Sequence, residues 1–305
     1  MRVFDAISPL LPRGLVIANE PMSRHTSFKI GGLAEVYVTP EDTRQLQEVW
    51  QACRLAGYPV VVLGDGCNVL VADEGIRGVV ISTCRMNHIK VNAPYITAYS
   101  GAKMARLAEM ACKAGLSGLE FASGIPGTVG GGVFMNAGAY DGEMKFVCES
   151  VEVLLPSGEA VIYSRDELGL GYRASRFQNE DAIITSATFL LTPGKPEDIR
   201  AKMSELNGRR RNSQPLNLPS AGSAFKRPAT EGLYAAKMID ECGLKGFAVG
   251  GAQVSEKHAG FIVNTGGATA ADVRGLMKAI IDNVHGVYGI WLEPEVQFLP
   301  AQSLM

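Results

Sequence analysis

Ser123-Gly-Ile-Pro-Gly-Thr-Val-Gly-Gly-Gly-Val-Phe-Met-Asn-Ala-Gly-Ala-Tyr140 carries six glycines in eighteen residues. Its other members include Ile125, Val129, Val133, Phe134 and Met135, which is not the composition of a flexible linker. Glycine strips side chains where a backbone must come close to something, and the apolar neighbours call for burial. Two readings follow. One is a buried loop whose backbone approaches a flat or phosphorylated ligand; the other is a tightly packed turn between core elements.

The totals narrow the context. At 305 residues with 47% hydrophobic content, the chain has material for about two domains and is not a disordered polypeptide. Its 29 basic and 31 acidic residues leave a formal charge of -2, so no global field favours nucleic acid or an anionic membrane, and small-molecule partners are expected. No apolar run reaches membrane-spanning length, and the N-terminus, with Asp5, Pro9 and Pro12, lacks a signal-peptide pattern. A soluble cytoplasmic protein without membrane insertion is expected. Cys53, Cys67, Cys84, Cys112, Cys148 and Cys242 are scattered, with no CxxC pair and no histidine at ligand spacing, which predicts reduced, mostly buried thiols and no metal site.

Outward from the glycine stretch, period and punctuation predict an alternating chain. A strand is expected near Glu35–Val38. Thr39 followed by Pro40 resembles an N-cap, and Leu46, Val49, Trp50 and Cys53 repeat on one helical face that ends near Gly57. The apolar run 59–63 then completes a βαβ unit. A strand at 79–82 and a helix through Met104, Leu107, Ala108 and Ala111 lead to the glycine stretch. Beyond it, Val151, Val153 and Leu155 turn at Ser157-Gly158 and return through 161–163 as a hairpin, and 182–191 reads as a further strand. Helices are expected from Pro196 into Arg209-Arg-Arg211, near 233–242, and at 272–284 with Thr269 as cap; 291–298 reads as a closing strand.

Gly64-Asp-Gly-Cys-Asn-Val-Leu70 is a second glycine loop, and together the two loops are able to hold a dinucleotide pyrophosphate with backbone N–H groups. Neither is a GxGxxG fingerprint or a P-loop, so an ordinary Rossmann or P-loop protein is disfavoured. Asn68 and Asn136 suit either turn-forming or loop-orienting roles. Arg173 and Arg176 offer guanidinium forks for a carboxylate or phosphate, or for salt bridges. Ser223 lacks a nucleophile elbow, which speaks against hydrolase chemistry. Glu293 and Glu295, two apart on the expected strand, share a face. The four histidines are scattered and read as non-catalytic.

Taken in order, the strings 25–32, 64–70, 124–140, 172–177, 220–226, 250–264 and 292–296 resemble those of the MurB family, the UDP-N-acetylenolpyruvoylglucosamine reductases, over essentially the whole chain. The resemblance implies an α+β protein with a two-part FAD-binding fold of the vanillyl-alcohol-oxidase (PCMH) type. A C-terminal α+β substrate-binding domain follows, so 1–83 and 84–195 are the expected FAD-binding subdomains and 196–305 the substrate domain. It implies bound FAD, with NADPH and UDP-N-acetylglucosamine enolpyruvate as substrates, and a monomer is expected.

The same resemblance assigns residues. Gly64, Gly66, Cys67, Asn68, Val69 and Leu70, together with Gly124, Ile125, Gly127, Thr128, Gly130, Gly131, Asn136 and Ala139, are implied FAD contacts. Tyr172, Gln214, Lys226 and Arg227 are implied substrate contacts, and Arg173, Ser223 and Glu295 the catalytic set. In that set Arg173 neutralises charge that develops after hydride leaves FAD N5 for the vinyl carbon, and Ser223 gives the completing proton, eased by Lys226. Glu295 beside a substrate carboxylate is expected to have a raised pKa. Two positions depart from the pattern: Cys67 replaces a serine, and Arg227 stands where Asn often follows Phe-Lys. The short segment after Lys226 resembles the type II branch, which lacks a tyrosine-bearing substrate loop.

Overall fold

In the computed structural model, which describes residues 3–230 and 232–301, Leu46, Val49, Trp50 and Cys53 form the buried face of the helix Thr43–Ala56. Each large apolar side chain removed from water there contributes about 1.5–3 kcal/mol. The helix starts later than the Thr39-Pro40 pair suggested. Asp42 is the N-cap: its carboxylate accepts from Gln45 N at 2.8 Å while Gln45 Oε1 accepts from Glu41 N at 2.9 Å. That reciprocal pair satisfies two amides, which Thr39, three residues earlier, does not reach. Gly57 closes the helix in the left-handed conformation, as expected.

The chain divides into two compact units, Met1–Ala18 with Val36–Asp65 and Gly78–Arg210, and Asn19–Glu35 with Gly66–Arg77 and Arg211–Met305. In the first, Val60–Leu63 pairs in parallel with residues 79–82. The βαβ expectation is modified here, because the strands Leu33–Val38 and Val60–Leu63 are not neighbours; Ile76–Ser82 lies between them in the sheet. The predicted hairpin is present as Cys148–Leu154 against Ala160–Ser164, with Val151 opposite Tyr163 and Val153 opposite Val161. It belongs to a five-stranded antiparallel sheet that continues through Ile183–Leu190, Tyr95–Tyr99 and Ile89–Asn92. Helices Met104–Lys113 and Val129–Phe134 supply Leu107, Ala111, Val129 and Val133 to the core shared with Val151, Ala187 and Phe189. Leu154 and Ile183, paired across the ladder, join a separate core built around Trp50.

The second unit is a four-stranded antiparallel sheet in the order Ser220–Ser223, Phe261–Asn264, Ala252–Val254, Ala248–Val249, packed with helices Ala235–Glu241 and Ala270–Tyr288. Thr269 caps the long helix as expected, in a capping box with Asp272. A second acid reaches the same helix start from elsewhere in the sequence: Asp73 accepts from Ala270 N at 2.8 Å and Ala271 N at 2.9 Å. The closing strand is shorter than expected. Only Gln297–Leu299 is regular, in parallel with Val69–Val71, whereas 291–296 is irregular apart from a bridge between Phe225 and Pro294. Proline at 294 has no N–H to give a ladder, which interrupts the strand. Among the described residues no cysteine forms a disulfide and no helix is long and apolar enough to cross a membrane.

Asp73→Ala removes both acceptors at the helix start and is expected to cost about 1 kcal/mol, read as a lower urea midpoint at unchanged slope, with Asp73→Asn losing less. A pH dependence follows from His258, whose imidazole is held below the ordinary 6.5 by burial. As pH falls below 6.5 the unfolded chain takes up that proton before the folded one, so stability present above 6.5 is lost towards the depressed folded value. His258→Asn retains an acceptor for Gly260 N, now bonded to Nδ1 at 3.2 Å, and is expected to flatten the fall in urea midpoint between neutral and mildly acidic pH.

Candidate active site

The glycine stretch is not a loop throughout, because 129–134 closes into a short helix after Thr128. Its amides are drawn inward: Val129 N donates to Ala102 O and Gly130 N to Ser100 O, both at 2.8 Å. Those two N–H groups are therefore engaged by protein carbonyls, not aimed outward at a phosphate. What the segment does provide is a surface without side chains. A Cβ added at Gly130 would sit 2.8 Å from Ser100 Cβ, and one at Gly64 would run into Thr128 Oγ1. Gly131 is exposed, and a Cβ there would meet nothing nearer than Thr128 Oγ1 at 3.7 Å.

Two hydroxyls lie beside this surface. Thr128 Oγ1 and Ser100 Oγ are buried and without a hydrogen-bond partner among the described residues. A buried hydroxyl left unmatched costs about 1–3 kcal/mol, so both invite a ligand acceptor. Lys103, bridged to Thr128 through the backbone, pairs with Asp65. Ser100 and Lys103 were not singled out from the sequence, since nothing in Tyr-Ser-Gly-Ala-Lys marks the turn as facing a glycine helix thirty residues on. Cys84 Sγ donates to Gly64 O at 3.2 Å, and burial raises its thiol so that it remains a donor.

The remaining expected FAD contacts of this unit are dispersed in role. Gly124 makes room for Asn207 and the Arg210 stem, so it serves the packing of Pro196–Ser213. Ile125 packs on the core, and Gly127 O accepts from Met104 N at 3.1 Å. Ala139 lies in the two-residue strand Gly138–Ala139. Asn136 is fully buried.

Arg173 occupies a left-handed backbone position, φ +52, in a tight turn closed between Gly171 and Ala174. Its Nη2 is 3.5 Å from Gly138 O and its guanidinium carbon 5.2 Å from the centre of the exposed Tyr172 ring. Gln178 Nε2 donates to Arg173 O at 3.0 Å and equally to Phe134 O, while Ser175 Oγ donates to Phe134 O at 2.7 Å. The arginine turn is thus fastened to the end of the glycine helix. Arg176 has a different fate: Nε meets Glu180 Oε2 at 2.7 Å, Nη1 donates to Glu167 O, and the guanidinium lies 3.7 Å over Tyr163. The salt-bridge reading applies to Arg176.

In the second unit, Ser223 ends its strand where Ala224 to Lys226 runs alongside 293–295. Glu295 N donates to Ala224 O at 2.9 Å and Lys226 N to Glu293 O at 2.8 Å. Ser223 and Glu295, 72 positions apart, therefore stand on adjoining segments. Glu293 and Glu295 do not share a regular strand face; Glu293 meets Lys226 Nζ at 3.4 Å. Asn68 Nδ2 donates to Glu295 O at 3.1 Å and Asn68 O accepts from Gln297 N at 2.9 Å, so the loop 66–70 holds the glutamate segment. Gly66 O accepts from Ser27 N at 3.1 Å, and Ser27 Oγ donates to Ser220 O at 2.7 Å. Cys67 is half-buried, Val69 pairs with Gln297, and Leu70 is in the core, which leaves Leu70 only its backbone for a ligand. Arg227 covers Tyr234 at 4.9 Å, and Gln214 Oε1 is buried without a hydrogen-bond partner among the described residues.

Comparison with known proteins gives these parts a context. Residues 34–164 match a family described as "FAD binding domain", and 214–299 match "UDP-N-acetylenolpyruvoylglucosamine reductase, C-terminal domain". The fold is shared with a Phl p 4 variant, a glucose oxidase, at TM-score 0.50 and 15% identity, covering 64% of this chain and 45% of that one. The residues fit FAD: a glycine surface without side chains lies beside two buried hydroxyls lacking protein partners. This is an FAD-dependent oxidoreductase with a two-part FAD-binding fold of the PCMH type and a C-terminal α+β domain.

Its full-length relatives are reductases. UDP-N-acetylenolpyruvoylglucosamine reductase of Caldanaerobacter subterraneus is 46% identical over 97% of both chains, and that of Syntrophomonas wolfei 46% over 97% of this chain and 98% of its own. The crystal structure of the Thermus caldophilus enzyme superimposes with TM-score 0.79 at 36% identity, over 93% of this chain and 97% of that one. The chain belongs to the UDP-N-acetylenolpyruvoylglucosamine reductase (MurB) family, whose place is in peptidoglycan precursor synthesis.

Gly131→Ala tests the glycine surface. Alanine is the better helix former by about 1 kcal/mol and meets no obstacle here, so the apoprotein is expected to be at least as stable in urea. FAD retained through gel filtration, and FAD affinity by fluorescence titration, are expected to fall. Unchanged affinity would remove Gly131 from the flavin surface.

Proposed function

We propose that this chain reduces the enolpyruvyl ether of UDP-N-acetylglucosamine enolpyruvate to UDP-N-acetylmuramate with NADPH as the electron donor. The flavin is assigned to 1–83 and 84–195 and the nucleotide sugar to 196–305. The observation that carries the reading is the bond from Glu295 N to Ala224 O, which sets a hydroxyl and a carboxyl on adjoining segments. The names of the full-length relatives supply the substrate class.

FAD, when bound, supplies hydride transfer from NADPH to the vinyl carbon through its N5. The chain's residues manage the charge and the proton. Hydride at the terminal carbon leaves the electron pair of the double bond on the carbon bearing the ether oxygen and carboxylate. Arg173, always charged and held in its turn, stabilises that enolate; removal of such a group costs about 10²–10³ in rate. Ser223 then protonates the same carbon and recovers its own proton from water. A hydroxyl is a weak acid, but an enolate is a base strong enough to take its proton. Glu295 acts as a hydrogen-bonding partner of the substrate carboxylate. In the flavin region, Gly64, Gly131, Thr128 and Ser100 are the assigned contacts, with Gly130 packing the helix inward on Ser100, and Tyr172, Gln214, Lys226 and Arg227 are those of the substrate. The ammonium of Lys226 meets Glu293, so its contribution at Ser223 would require release from that partner.

Ser223→Ala separates the two halves of turnover. NADPH is expected to bleach the flavin at a near-normal rate in a stopped-flow experiment, whereas reoxidation by the enolpyruvyl substrate falls at least about 10³-fold. Normal reoxidation would remove Ser223 as the proton donor. A protein that neither carries nor takes up FAD would remove the reading altogether.

A further inference from the structure

Asn136 stands where the glycine helix gives way to the hairpin Gly138–Ala139 with Gly142–Glu143. It is fully buried, with φ +40, a backbone position that asparagine reaches more readily than other non-glycine residues. Its Nδ2 donates to Gly171 O at 2.7 Å and to Glu143 Oε2 at 3.0 Å, and its Oδ1 accepts from Lys145 N at 3.0 Å. Both amide protons and the oxygen are thereby engaged, by the segment 143–145 and by Gly171. Glu143 is fixed in turn by Lys145 Nζ at 2.9 Å.

The carbonyl that Asn136 holds is the first of the arginine turn. Gly171 N donates to Ala174 O at 3.0 Å and Ala174 N returns to Gly171 O at 3.2 Å, with Arg173 in the left-handed position between them. The hairpin that Asn136 braces also carries Gly138, whose carbonyl lies 3.5 Å from Arg173 Nη2. One amide therefore fixes both the backbone from which the arginine springs and the carbonyl against which its guanidinium rests. Both amide protons of Asn136 are spent on protein oxygens, which leaves it no donor for a flavin, whereas the hydroxyls of Thr128 and Ser100 lack a hydrogen-bond partner among the described residues.

Building on the reading of Arg173 given above, we propose that Asn136 is a positioning residue for Arg173 and not a flavin contact. The chemistry predicts how it fails. Asn136→Asp keeps size and the acceptor for Lys145 N, but sets an oxygen against Gly171 O and a second carboxylate against Glu143. Both donor contacts turn repulsive, and the turn is displaced while the exposed backbone at Gly131 is left alone. Misplacement of a catalytic group by about 1 Å costs up to about 10²-fold.

The test compares half-reactions in the FAD-loaded enzyme. Asn136→Asp is expected to slow reoxidation of the NADPH-reduced flavin by the enolpyruvyl substrate about 10- to 100-fold, with FAD content and the rate of reduction by NADPH within about twofold of wild type. In an Arg173→Ala background the same change is expected to add less than about twofold, since residues acting as one unit are not additive. Equal loss in both half-reactions, full additivity with Arg173→Ala, or no loss would each overturn the proposal. If Arg173→Ala alone leaves reoxidation unchanged, the catalytic reading of Arg173 fails, and that result is distinct from a failure of Asn136 alone. Should Asn136→Asp not fold, Asn136→Gly suits the same backbone position, removes all three bonds and is judged by the same split.

Discussion

The contact between 128–132 and 100–104 is the constraint from which the flavin half of the molecule follows. It is made almost without side chains. Gly130 lies against Ser100 and Gly132 against Met104, and Val129 and Gly130 give their N–H groups to carbonyls of the turn between Tyr95–Tyr99 and Met104–Lys113. A Cβ at Gly130 or Gly132 would run into Ser100 or Met104 and push the helix away. That closeness leaves the Thr128 and Ser100 hydroxyls buried and without a hydrogen-bond partner among the described residues, a cost in keeping with the flavin site proposed beside them. Glycine is thus required twice here: inward at Gly130 and Gly132 to pack, outward at Gly131 to expose backbone.

This dual use explains why the stretch was readable as important but not as to form. Three consecutive glycines argue against helix, at about 1 kcal/mol each relative to alanine. The helix forms because its neighbours accept no larger residue and because two of its first amides find carbonyl partners outside it. Tertiary contact overrides propensity at this point. Elsewhere local chemistry was sufficient. The hairpin 148–164, the helix ending at Gly57 and the cap at Thr269 each combine apolar period with a terminator in a single segment. Thr39 was a poor guide because the competing cap, Asp42, accepts from Gln45 N while the Gln45 side chain in turn accepts from Glu41 N.

What the sequence did not disclose are associations between distant segments. Asn68 and Glu295 lie 227 positions apart and Asp73 and Ala270 lie 197 apart, yet each pair is joined by hydrogen bonds. No period or turn signal encodes such a meeting. The Leu-Glu-Pro-Glu-Val string reads as a strand by alternation, but Pro294 limits it to a single bridge with Phe225. The regular ladder resumes only at Gln297, beside Val69. The fold was therefore legible in its elements, and the candidate site only through its resemblance to a family, because the site is assembled from the ends of elements instead of from any one of them.

The arginine turn shows how such an assembly is kept in order before any substrate arrives. A non-glycine residue at φ +52 costs about 1–3 kcal/mol. Opposing it are bonds from Asn136 to Gly171 O, Gln178 to Arg173 O and Ser175 to Phe134 O. At about 0.5–1.5 kcal/mol each, three such bonds equal or exceed the backbone cost, so the turn is held by the protein alone. All three donors are anchored on or beside the glycine helix, Asn136 by its position and Gln178 and Ser175 through Phe134 O. The guanidinium is thereby tied to the same short element that presents Gly131. A fixed cation that need not reorganise as an enolate develops is worth more than a mobile one, because the cost of ordering it was met when the chain folded.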